Sequence, residues 1–198
     1  VKLVFATTNK GKLDELTAMV GGELEVVSAA DFPQVPEVVE DQATFELNAA
    51  KKALAYARAT GLCALADDSG LCVDLLAGRP GVHSARYAPT DAKRIHRLLN
   101  ELDGVPLEKR TARFQCALCL AWPNGRLMTV MGTCDGRIAL EPRGEHGFGY
   151  DPVFEVKGEA RTMAQLSQGE KAAVSHRGQA FRQMRPHLKA LATLSEGT

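Results

Sequence analysis

A short β-rich run, Lys2–Thr7, ends in polar residues and gives way to a helical pattern from about Gly11. Leu13, Leu16 and Val20 share one stripe of that helix, and Gly21-Gly22 stops it. Leu24–Ser28 then reads as a second strand. Strand, helix and strand in succession form a β-α-β unit, which commits the start of the chain to an α/β architecture.

The rest of the chain agrees. Asp31–Pro36 is loop-like, and Phe45 to Ala59 is an Ala-rich helix, with Leu47, Ala50, Leu54 and Ala57 in line and Gly61 at its end. Leu62–Ala66 is a short apolar strand that stops at Asp67-Asp68-Ser69-Gly70, where Gly70 permits a sharp turn; Leu71–Leu75 is a further strand. Ala77–Ala88 is a structured loop, and Asp91 to Leu102 an amphipathic helix. Thr111–Trp122 and Arg126–Asp135 flank Pro123-Asn124-Gly125, a hairpin signal. Ser167-x-x-Glu170 has capping-box spacing, and a last helix follows Ser175, with Pro186 expected to kink it or start a new turn. A mixed β-sheet with flanking helices accounts for this order.

Composition narrows the function. Lys plus Arg and Asp plus Glu are both 24, which argues against a general nucleic-acid coat. The longest apolar run, Cys116 to Trp122, is far shorter than the ~20 residues that span a membrane. Val1–Phe5 reads as a strand and not as a basic-then-apolar leader. Five cysteines, an odd number, point to thiols in a reducing compartment. Cys116 and Cys119 form a C-x-x-C, but residues three apart on a strand face opposite sides and do not converge on one metal.

Five segments carry residues suited to chemistry. Thr7-Thr8-Asn9-Lys10-Gly11-Lys12 lies between strand and helix, where free N–H groups and the helix dipole favour an anion. It departs from a P-loop, with Ala6 at the first Gly position and Leu13 at the Ser/Thr position. Asp67-Asp68 is a pair of adjacent carboxylates that repel unless a cation or solvent offsets the cost, and such oxygen donors suit Mg²⁺. Thr44, Asn48 and Lys52 lie along one face of the second helix, with Glu40 and Asp41 before it. Such a line usually meets solvent; it matters only if it turns toward the lysines and aspartates. In Gly147-Phe148-Gly149-Tyr150-Asp151-Pro152, two glycines leave an aromatic face open to stacking. Glu170 to Gly178 gathers Lys171, His176 and Arg177 near a helix start, where cations are poorly placed without compensation.

Together these segments resemble the inosine triphosphate pyrophosphatase family. The matching blocks are A-T-T-N-K-G-K, E-D-x-x-T-F-x-x-N-A-x-x-K-A, A-D-D-S-G-L, P-G-V-x-S-A-R-Y, G-F-G-Y-D-P-V-F and E-K-x-x-x-S-H-R-G-Q-A, in order from about Leu3 to Leu191. The resemblance implies an elongated two-lobed α/β fold around a long mixed sheet, one pyrophosphatase domain over residues 1–198, with an active-site cleft between the lobes. It implies hydrolysis of ITP, dITP and XTP to the monophosphate and pyrophosphate, with Mg²⁺, by a cytoplasmic homodimer that engages neither nucleic acid nor membrane.

Residue by residue, Asp68 matches the catalytic base, and Glu40 and Asp68 the metal-linked acids, with Asp67 close by. Thr7, Asn9, Lys12 and Lys52 match phosphate contacts, within a substrate segment that includes Thr8, Lys10 and Gly11. Ser69, Phe148, Gly149, Tyr150, Asp151, Lys171, His176 and Arg177 match the nucleoside side. His176 or Arg177 donating to a 6-oxo group would select such bases over adenine. Ala88-Pro89 and Gly144-Glu145-His146 depart from the family pattern. Three other readings stay open: a Maf-type pyrophosphatase with other bases, a nucleotide sensor without turnover, and a nucleic-acid binder using Lys51, Lys52, His176 and Arg177.

Overall fold

The computed structural model describes residues 2–22 and 24–193. Six strands form one mixed sheet in the order β2-β1-β3-β4-β5-β6. They are β1 Lys2–Phe5, β2 Glu25–Ser28, β3 Cys63–Val73, β4 Thr111–Ala121, β5 Leu127–Ile138 and β6 Phe154–Val156. The α-helices are α1 Lys10–Val20, α2 Phe45–Thr60, α3 Asp91–Glu101, α4 Gln168–Val174 and α5 His176–Thr193. Among the described residues no helix is long and apolar enough to cross a membrane.

The chain divides into two compact units, and it passes between them several times, so neither is a continuous stretch of sequence. The first unit holds residues 1–68, 116–132 and 177–198. The expected β-α-β unit is there: β1 runs parallel to β2 and, on its other side, parallel to β3, with Phe5 opposite Leu65. Asn9 caps α1 by accepting the Lys12 N–H at 3.1 Å, and Gly21 closes the helix at φ 62°. The core collects Leu3, Phe5, Leu16, Leu65, Leu118 and Leu120 with Phe181, Met184 and Leu188 of α5. The 123–125 turn joins β4 to β5 through Gly125 N–H donating to Trp122 O at 2.9 Å.

The second unit holds residues 69–115 and 133–176. Its core is separate, with Leu71, Val73, Leu98, Leu102, Phe114, Ile138, Phe154 and Met163 at its centre. Leu98 of α3 and Leu102 at its C-cap are buried, as the periodicity predicts. β6 pairs antiparallel with β5, Ile138 opposite Phe154. Gly136 permits that approach, because a Cβ there would lie 2.6 Å from the Phe154 ring.

One local expectation is corrected. Asp67–Gly70 is not a turn: β3 runs unbroken from Cys63 to Val73 and places both aspartates inside a strand. Side chains distant in sequence compensate the charges, so the backbone has no need to leave the sheet. α5 runs through Pro186, with Met184 and Leu188 packed in the core on either side. β6 lies in a segment for which the sequence signals no strand.

Candidate active site

The first unit contains a chain of buried charges around β3. Asp67 is fully buried. Its Oδ1 lies 3.2 Å from Lys12 Nζ, and its Oδ2 accepts from Arg177 Nη2 at 3.1 Å and Nε at 3.3 Å. Arg177 extends the chain by donating to Glu15 Oε2 at 2.5 Å. Burial alone would push the Asp67 carboxyl up. The Lys12, Arg177 and Lys52 charges overrule it and hold the group well below the usual carboxylate range.

Asp68, one residue on, has the opposite character. Burial and then the neighbouring Glu40 charge push its carboxyl up to about 6, against Lys12, a hydrogen bond from Asn48 and Lys52. Two adjacent carboxylates are therefore set apart: one stays ionised, the other titrates near neutrality. Such a separation assigns different tasks to the two acids.

α2 supplies the opposing face. Thr44 caps it, accepting the Leu47 N–H at 3.2 Å. One turn on, the fully buried Asn48 donates to Asp68 Oδ2 at 2.9 Å. A further turn on, Lys52 pairs with Glu40. Burial works against the Lys52 charge, but Asp67, Glu40 and Asp68 more than offset it and raise its pKa. The line of Thr44, Asn48 and Lys52 thus turns inward at its last two members, where solvent is the commoner destination.

The 7–12 segment enters from β1. Thr7 is buried, and its Oγ1 accepts the Asn9 N–H at 3.2 Å. Thr8, Asn9 and Lys10 are exposed, Gly11 is half-buried, and Lys12 reaches Asp67. Exposed residues around an N-cap, with lysines in the first turn, suit an anion.

The residues expected on the nucleoside side lie in the second unit, except Arg177. Asp151 Oδ2 accepts from Lys171 Nζ at 2.5 Å and from Phe148 N–H at 2.9 Å. Lys171 Nζ also sits 4.9 Å from the Phe148 ring centroid, so one face of that ring has a cation over it. Gly147, at φ 78°, is needed here: a Cβ would run into the Asp151 carboxylate. The Gly149 N–H donates to Asp91 Oδ2 at 2.8 Å, and the buried Tyr150 donates its hydroxyl to Ser84 O at 2.8 Å. His176 stacks on Phe114 at 4.7 Å, and Ser69 is half-buried in β3.

Two residues matched to the nucleoside side are also engaged within the fold. Arg177 turns its guanidinium onto Asp67 and Glu15 and braces the acid pair. Tyr150 spends its hydroxyl on a backbone carbonyl as a strut. Two residues outside the expected set join the site, Asn48 and Glu15. The position of Asn48 in the α2 line was a usable signal; Glu15, three residues after Lys12 on α1, carried none of its own.

A metal would find oxygen donors here. Glu40 raises Asp68 through its negative charge, which is the repulsion a bound cation relieves. Among the described residues no group of three or more His, Cys, Asp or Glu is arranged to hold a metal. Two carboxylates fit magnesium, which takes one or two from the protein and fills the rest with water and phosphate oxygens. All five cysteines are free thiols, and burial pushes the Cys116 thiol up to about 12.

The chain is similar to known proteins over most of its length. A dITP/XTP pyrophosphatase of Geobacillus kaustophilus (strain HTA426) is 52% identical over 184 residues, 91% of this chain and 90% of that protein. One of Geobacter sulfurreducens (strain ATCC 51573 / DSM 12127 / PCA) is 51% identical over 191 residues, 94% of this chain and 96% of that protein. The structure of the Ham1 protein of Staphylococcus aureus superposes with a TM-score of 0.86 at 37% identity, covering 96% of this chain and 99% of that one. A HAM1 protein of Coxiella burnetii gives 0.84 at 40% identity and covers both chains fully, at 100%. The Ham1 family's sequence profile matches residues 3–187, and with the fold and relatives in accord, this chain belongs to the Ham1 family.

Proposed function

We propose that this chain hydrolyses deaminated purine nucleoside triphosphates, dITP, ITP and XTP, to the monophosphate and pyrophosphate, and so clears them from the nucleotide pool. The observation that carries the reading is the buried cluster on β3, where Lys12 and Arg177 meet Asp67 while Asn48 donates to Asp68. The names of relatives about half identical to this chain supply the substrate class.

A triphosphate brings about four negative charges, which several cations must meet. Lys12 and Lys52 are the cations assigned to it, with Thr7, Asn9 and the N-terminal turn of α1 donating to phosphate oxygens. Asp68, ionised above pH 6, takes the proton of the water that attacks the α-phosphorus. Asp67 keeps its charge and holds Lys12 and Arg177 in place. Glu40 and Asp68 would hold magnesium, which when bound neutralises phosphate charge. The nucleoside end falls to Ser69, His176 and the Phe148–Asp151 loop with Lys171, on the family resemblance. The same resemblance supports a homodimer acting in the cytoplasm.

Pyrophosphate release from dITP, ITP, XTP, GTP, ATP and dTTP, each with magnesium and with EDTA, tests the reading. Fast magnesium-dependent release from the first three and little from the others is expected. Equal rates on all six would discard the base selectivity, and no release from any would leave a nucleotide sensor.

A further inference from the structure

Asn48 belongs to no assigned catalytic or ligand set, yet it joins two parts of the first unit that the reaction needs together. Its Oδ1 accepts the Gln42 N–H at 2.9 Å, and its Nδ2 donates to Asp68 Oδ2 at 2.9 Å. The amide orientation follows from chemistry. A backbone N–H can only donate, so the oxygen must face Gln42, which leaves the NH₂ for the carboxylate. Nδ2 has a second, longer contact to Gln42 O at 3.5 Å.

Glu40 lies two residues before Gln42. Glu40 itself pairs with Lys52, and on either side of it Lys51 Nζ donates to Val39 O at 2.8 Å and to Asp41 Oδ1 at 2.7 Å. The Lys51 contacts are exposed, where an ion pair constrains little. The Asn48 contact to Asp68 is buried, where losing a hydrogen bond costs more.

We propose that Asn48 is a positioning residue for the hydrolysis, its amide fixing the Glu40-bearing loop and Asp68 in one register. The side chain is specific for the task. Asp at this place would still accept from Gln42 but would set a second carboxylate oxygen against Asp68. Leu would keep the shape and lose both hydrogen bonds. The inference rests on the pyrophosphatase reading, because positioning has meaning only for a reaction.

The test uses Asn48→Asp and Asn48→Leu in the full chain, assayed for pyrophosphate release from dITP with saturating magnesium. Amide hydrogen exchange at Gln42 is measured alongside. Both variants should lose about 100-fold in kcat, the cost of a catalytic group displaced by about an ångström, with KM within about threefold of wild type. Gln42 should stay protected in Asn48→Asp, whose carboxylate accepts the same N–H, and exchange about tenfold faster in Asn48→Leu. The neutral Leu variant carries the test if Asn48→Asp does not fold.

A kcat within about threefold of wild type overturns the proposal, as does a loss that falls on KM. So does a fall in exchange protection along the whole of α2, which would make Asn48 a packing residue. If the wild-type chain itself releases no pyrophosphate, the proposed function falls first and this inference with it; an active wild type with an indifferent Asn48 removes the inference alone.

Discussion

Asp67 is gripped by Lys12 and Arg177 while Asp68, beside it on β3, is faced by Glu40; in the second unit, Asp151 takes Lys171 and the Phe148 N–H on one oxygen. Both places bury carboxylates and cations, yet they are balanced differently. The second is a compact pair whose backbone hydrogen bond fixes a loop. The first sets Glu15, Glu40, Asp67 and Asp68 against Lys12, Lys52 and Arg177. Burial, and then the Glu40 charge, push Asp68 up. A closed pair makes structure; an unequal cluster leaves one group poised to exchange a proton, and for that reason the chemistry is assigned to β3.

The largest expected effect breaks the comparison at Asp68. Asp68→Asn should lower kcat about 1000-fold, within the range general-base catalysis supplies, while dITP still binds. The same substitution should not lower stability at neutral pH, because the charge it removes is one the fold disfavours. Pyrophosphate release, calorimetric binding and thermal melting check the three parts. Near-normal turnover would take Asp68 out of the mechanism.

Next comes Arg177→Ala. It removes a cation shared by two acids, the buried Asp67, which keeps Lys12, and the half-buried Glu15, and should cost about 3–5 kcal/mol of stability in urea unfolding. Lys171→Met in the second unit should cost less, because Asp151 keeps the Phe148 N–H. Equal costs would mean that the two clusters are built alike. A stable Arg177→Ala that merely lost preference for 6-oxo bases would return Arg177 to the nucleoside side.

How much of this was legible in the sequence follows from how local each signal is. The β-α-β start, α2 and the hairpin rest on periods and caps within a few turns of chain, and the structure has them. The strand through Asp67–Gly70 is not local. Asp-Asp-Ser-Gly is poor strand sequence, and its charges are compensated by Asn48, 20 residues away, and Arg177, 110 residues away. β6, three residues long, gives too short a run for any period. Arg177 stood out in the sequence as a residue suited to chemistry, but its partners did not, since sequence order does not say which carboxylate a guanidinium will meet. The inward turn of Asn48 was visible only as an alternative to a solvated face.

The smallest effect concerns pH, and it separates the neighbours on β3 by sign. Asp67 has its pKa lowered in the fold, so the stability it contributes is present above the ordinary carboxylate range and is lost as pH falls through the lowered value. Asp68 has its pKa raised from 3.8 to about 6, so its proton-bound form is favoured in the fold, and the stability it contributes is lost as pH rises through that window. Activity runs the other way, because the ionised Asp68 is the base. Below about pH 6, kcat/KM should fall about tenfold per pH unit, and above it should level off. A cation held by Glu40 and Asp68 favours the carboxylate, so raising magnesium should move this limb to lower pH. A limb that moves upward with magnesium would place the titrating group elsewhere than Asp68, and the contrast between the two aspartates would no longer explain which of them does the chemistry.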